Sequence, residues 1–110
     1  MKTVLIVDDD KSVRESLKMI LEYDRYEVEF AENGEQGLQK LDNLPVDVVL
    51  LDVKMSGLDG IEVLTKIRQK NEKLPVVMIS GHGTIETAVE ATKLGAFDFL
   101  SNRLTAISSL

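Results

Sequence analysis

Two apolar runs in this chain end abruptly in carboxylates. Val4-Leu5-Ile6-Val7 leads straight into Asp8, Asp9 and Asp10, and Val48-Val49-Leu50-Leu51 leads straight into Asp52. A short run without polar alternation, bounded by polar residues, reads as a strand buried on both faces, and such strands belong to parallel sheets covered by helices. In open sheets of this class, ligands bind beyond the carboxyl ends of the strands, where the strand order reverses. With the two runs as neighbours, three carboxylates converge there and neither motif supplies a cation. Like charges held that close repel unless something positive joins them. An all-oxygen cluster suits a hard divalent cation, most naturally Mg2+.

The rest of the chain alternates similar runs with segments of helical period, which predicts a doubly wound α/β fold. The first strand covers about Thr3 to Val7. A helix follows, with Val13, Leu17, Ile20 and Leu21 on its inner face and Asp10 or Ser12 as its cap. Tyr26 to Phe30 alternates with period two and is placed at a sheet edge. Asn33-Gly34 reads as a turn, Leu38 and Leu41 mark a second helix, and Pro45 ends it. Asp47 to Leu51 is a central strand, and Gly57 and Gly60 flank the loop after it. Ile61, Leu64 and Ile67 face inward on a third helix. Pro75 opens the strand Val76-Val77-Met78-Ile79, Gly81-His82-Gly83 forms a loop, and Thr84 caps a fourth helix that ends at Gly95. Ala96 to Leu100 is the other edge. Right-handed crossovers then favour a five-stranded parallel sheet of order 2-1-3-4-5, flavodoxin-like, with Ser80 beside the three aspartates. Too little chain follows Leu100 for a full covering helix, so the fifth helix is expected to be short or missing.

Composition narrows the function classes. The chain has 110 residues, no cysteine and a formal net charge of −6. One domain spanning residues 1–110 is expected. Disulfides and thiolate-metal sites are excluded, and the acidic balance argues against direct nucleic-acid binding. The opening apolar run is too short for a signal peptide or a membrane span, which points to the cytoplasm. The basic group Lys66, Arg68, Lys70 and Lys73 reads as a solvated helix face because Glu62 and Glu72 interleave with it, and Met55 and Met78 read as packing. Taken singly, Asp8 and Asp9 read equally well as helix caps.

Together these motifs resemble a response-regulator receiver domain of two-component signalling, over Met1 to about Leu100. The resemblance rests on the acidic pair Asp8-Asp9, on Asp52, on Asp52-Val53-Lys54-Met55 running to Gly60, and on Ser80. The stretches from Ser80 to Val89 and from Gly95 to Leu100 look like the nitrogen-regulator (NtrC/NtrX) type, and the fold implied is CheY-like. The resemblance implies that Asp52 accepts a phosphoryl group from the histidine of a sensor kinase. Asp9, Asp52 and the Lys54 backbone carbonyl would bind Mg2+ directly, with Asp8 acting through water. Ser80 would hydrogen-bond the phosphoryl oxygens and Phe99 would be the switch aromatic. It further implies a switch rather than an enzyme: one that phosphorylates itself from a kinase or small phosphodonor and loses the group slowly. The family also dimerises through the face of helix 4 and strand 5. This type joins its receiver to an ATPase acting on sigma-54 polymerase and to a DNA-binding domain, neither of which this chain carries.

The chain departs from the family pattern after Leu100. Asn102 and Arg103 stand where a Lys and a Pro are expected, and Ser56 stands where many members have Pro. Replacing a charged phosphate partner by neutral Asn costs roughly 1.5–3 kcal/mol of interaction. The serine-rich stretch from Ser101 to Leu110 is atypical for the family and is expected to weaken the dimer. Two alternatives to a working switch are therefore carried: a degenerate receiver that binds Mg2+ but signals poorly, and a small Mg2+-dependent phosphohydrolase. Against the second, Lys54 occupies the place where such an enzyme holds its second carboxylate.

Overall fold

The apolar runs lie side by side in the computed structural model of the chain, which describes residues 1–53, 55 and 59–79 and the backbone of 98–100. The elements are β1 (Thr3–Val7), α1 (Lys11–Tyr23), β2 (Glu27–Ala31), α2 (Gly34–Asn43), β3 (Val48–Asp52), α3 (Gly60–Lys70), β4 (Val76–Ile79) and β5 (Asp98–Leu100). The strands form one parallel sheet of order β2-β1-β3-β4-β5, the CheY-like order expected. The fourth helix, the chain after Leu100, and the Lys54, Ser80 and Asn102 positions lie outside the described residues. So does the Phe99 side chain.

Strand alternation sends successive side chains to opposite faces of the sheet, and two cores result. On one face Leu5, Val7, Val49, Leu51, Val76 and Met78 pack with Val63, Leu64 and Ile67 of α3, and Leu38 and Leu41 of α2 lie against them. On the other, Val4, Ile6, Leu50, Val77 and Ile79 pack with Leu17 and Leu21 of α1. Because β1, β3 and β4 are covered on both faces, they show no polar alternation. At the edge, β2 exposes Glu27 and half-buries Val28, Glu29 and Phe30.

Several local expectations shift. Asn33-Gly34 is the start of α2 rather than a free turn: the Asn33 side chain accepts from the Gln36 N–H at 2.9 Å, and Gly34 is already helical. Ile20 is 40 % exposed. The buried stripe of α1 is instead Arg14, Leu17 and Leu21, at i, i+3 and i+7. On α3, Ile61 is only half-buried and Val63 takes its place in the core. Arg68 is not part of a solvated face. It donates to the carbonyls of Leu74 at 2.6 Å and Asn71 at 3.2 Å, clamping the turn into β4, and burial lowers its pKa. The end of α1 is closed by paired bonds, from Tyr26 N–H to the Leu21 carbonyl and from Arg25 N–H to the Glu22 carbonyl. Arg25 takes the left-handed position of this cap, at φ 68°.

Candidate functional site

Sheet register brings the carboxylates together. Val7 pairs with Leu51, so the next residues along β1 and β3, Asp8 and Asp52, emerge at the same level. Asp8, Asp9 and Asp52 each present an oxygen, and these oxygens all lie within 4.8 Å of one another. Asp8 and Asp52 are fully buried, whereas Asp9 is exposed.

Local bonding fixes this arrangement. Asp8 N–H donates to the Ala31 carbonyl at 3.1 Å, extending the ladder between β1 and β2 by one residue. The Asp8 carboxylate accepts from Asp10 N–H at 2.9 Å. Asp10 supplies the helix cap, accepting from Ser12 N–H at 2.9 Å and Val13 N–H at 3.3 Å. Capping therefore occupies Asp10 and leaves Asp8 and Asp9 for the cluster, which removes the plain reading of those two as caps. Across the cluster, Val53 N–H donates to the Ile79 carbonyl at 3.1 Å. The chain then turns back into α3, whose cap Asp59 accepts from Glu62 N–H at 2.9 Å.

Gly60 explains why that return is possible. Its N–H donates to the Val53 carbonyl at 2.8 Å. A Cβ added there would lie 2.2 Å from the Asp52 carbonyl oxygen and 2.7 Å from the Val53 Cα. Only glycine lets the first turn of α3 press against the backbone of the aspartate that closes β3.

The donor set fits a hard cation. Among the described residues the cluster is three carboxylates without a nitrogen or sulfur ligand, which favours Mg2+ or a similar ion over zinc. Mg2+ keeps several waters and takes one or two carboxylates directly, which suits a cluster with two buried members and one open to solvent. Met55 packs against the core on the α2–α3 face, and Met78 is fully buried.

Residues 4–107 match the family model of the response regulator receiver domain. The chain belongs to that family. An NtrX-like response regulator of Rickettsia bellii is 42 % identical to this receiver domain over 99 residues, covering 88 % of the chain and 21 % of the relative. NtrX of Brucella abortus is 36 % identical, with a TM-score of 0.86, and the match covers 99 % of this chain and 26 % of that one. The response regulator TrrA of Thermotoga maritima, solved in complex with Mg2+-BeF, is 30 % identical with a TM-score of 0.88, covering 99 % and 97 % of the two chains. The receiver domain thus spans about a fifth of the Rickettsia relative and almost the whole of TrrA.

Arg14 is a site neighbour that sequence reasoning missed. It occupies the same helical stripe as Leu17 and Leu21, and a cation on an apolar stripe is the signal that could have revealed it. A cleft of about 430 Å3 lies elsewhere, at the far ends of α2 and α3 among Leu38, Leu41, Leu44, Pro45 and Val46. It holds no cluster of acids comparable to the aspartate trio, so hollow volume is a poorer guide here than convergent charge.

Proposed function

We propose that this receiver domain accepts a phosphoryl group on Asp52 from the histidine of a sensor kinase, with Mg2+ held by Asp8, Asp9 and Asp52. The convergence of three carboxylates at the reversal point of the sheet carries this reading. The complex formed by TrrA with Mg2+-BeF supports it by analogy.

Asp52 is the candidate nucleophile because it ends the central strand and its backbone is held from two sides, by β4 and by Gly60. Its carboxylate oxygen forms the new P–O bond while the P–N bond to the kinase imidazole breaks, leaving an acyl phosphate. A carboxylate attacks phosphorus poorly while phosphoryl oxygens repel it. Asp8, Asp9 and Asp52 would hold a cation there, and that charge would be neutralised by it. Asp9, at the exposed side, and Asp8, locked beneath it, set where the cation sits. The Lys54 carbonyl is a further proposed ligand, Ser80 the proposed partner of the phosphoryl oxygens, and Phe99 the proposed reporter of its state. Transcription would be regulated from the cytoplasm through segments of the kind that the longer relatives carry outside the matched region.

A second reading has its own observation. Asn102 stands where the family pattern has Lys, which favours a receiver that binds Mg2+ and relays poorly. One experiment separates the two: intact mass after incubation with a small phosphodonor and Mg2+, beside Asp52→Asn. A single phosphoryl adduct on the wild type, absent from the variant, is the expected result. No adduct on a wild type that still binds Mg2+ would replace the first reading by the second.

A further inference from the structure

Arg14 is the only charged residue that the fold buries among the described residues, apart from Asp8 and Asp52. Its backbone N–H donates to the Asp10 carbonyl at 3.0 Å. Its Nη1 donates to the Asp8 carbonyl at 2.8 Å. Nη2 lies 4.0 Å from the Glu32 carboxylate, and the guanidinium carbon lies 5.9 Å from the centre of the Phe30 ring. The first bond is the ordinary opening bond of α1, whereas the side chain grips the end of β1 at the Asp8 carbonyl, and the planar fork is steadied from β2 and the turn after it.

Stability alone does not call for arginine at this position. Leu17 and Leu21 continue the same stripe, and an apolar residue would be buried there without the desolvation cost of a guanidinium. What distinguishes position 14 is its neighbour. The bond it makes runs to the main chain of Asp8, a member of the acidic trio. Outer partners of this kind orient first ligands and commonly change metal affinity when removed. A guanidinium, with donors in a fixed fork, holds such a geometry better than a flexible ammonium.

We infer that Arg14 is a positioning residue for the cation site, holding the Asp8 carbonyl so that the Asp8 and Asp9 carboxylates face Asp52 before the cation arrives. This role rests on the cation-site reading of the aspartate trio.

Mg2+ alone is the probe. Its dissociation constant is read from the rise of Tm with Mg2+ concentration for wild type, Arg14→Met and Arg14→Lys. The wild type gains Tm, Arg14→Met binds Mg2+ about 10- to 100-fold more weakly, and Arg14→Lys, which keeps the charge and a donor, falls between. A merely structural arginine would lower Tm equally with and without Mg2+ and leave the dissociation constant unchanged, and that result overturns the role. A wild type whose Tm ignores Mg2+ overturns the cation-site reading and this role together. Should Arg14→Met fail to fold, amide exchange in the metal-free wild type decides. Protection of the Asp10 N–H without Mg2+ supports a turn set in advance, whereas free exchange until Mg2+ is added overturns it.

Discussion

The two ends of the parallel sheet carry charge in opposite ways. At the carboxyl ends of β1 and β3, Asp8, Asp52 and Arg14 are buried, and Gly60 is pressed against the Asp52 backbone. At the amino ends the polar contacts are open to water: Lys70 meets Asp42 at 3.0 Å with both side chains more than half exposed, and Thr3 N–H donates to Asp47 at 2.8 Å. Buried like charges oppose folding until a counterion arrives, whereas exposed pairs cost little and contribute little. Binding capacity is thus concentrated where like charges are buried together, whereas the opposite end carries exposed pairs.

The sharpest way to break this contrast is Gly60→Ala. The added methyl must displace the Asp52 or Val53 backbone, and overpacking of this kind costs about 1–3 kcal/mol. Urea unfolding should register that loss, and phosphoryl adduct formation should slow with it. A fully stable, fully reactive variant would mean that α3 can retreat without disturbing Asp52. Next in size is Asp9→Asn. At a Mg2+ concentration about tenfold above the wild-type dissociation constant, the ion stabilises by about 1.4 kcal/mol. A tenfold weaker site keeps only about 0.4 kcal/mol of it. The Mg2+-induced rise in Tm is the readout, and an unchanged rise would place the ion elsewhere.

At the amino end the expected effects are smaller and one has the opposite sign. Arg25→Gly removes a side chain from the left-handed cap of α1 and should stabilise by roughly 0.5–1 kcal/mol, reduced by the freer unfolded chain. Thermal unfolding tests it, and the gain should appear equally with and without Mg2+. Lys70→Ala should change stability by no more than about 0.5 kcal/mol, with the loss shrinking further in high salt. A larger effect would show that the rim of the α2–α3 cleft is a structural joint.

Much of this architecture was legible because it rests on short-range pattern. The bounds of β1 and β4 follow from uninterrupted apolar runs, and β3 is displaced by one residue because Asp52, though polar, still pairs with Ile79. Edge placement of β2 followed from alternation. Hydrophobicity alone points Ile20 inward on α1, whereas the stripe that is buried passes through Arg14. Asn33-Gly34 serves equally as a turn or a helix start, and only the Gln36 N–H, three residues on, distinguishes them. The charged neighbours of Arg68 point it to solvent, yet its reach to the Leu74 carbonyl depends on where β4 begins.

The chain's local order determined the alternation of strands and helices, the carboxylates at two strand ends and the kind of ion they suit. Those features are set by side chains within a few positions of one another, where periodicity and solvation act directly. The tertiary structure decided three things that spacing could not. It set the register that brings Asp8 level with Asp52, the approach of Gly60 to the Asp52 carbonyl, and the bond from Arg14 to Asp8. The first two depend on how elements far apart in the chain pack on the shared sheet. The third depends on which face α1 turns toward that sheet, which packing sets and hydrophobicity alone misassigned at Ile20.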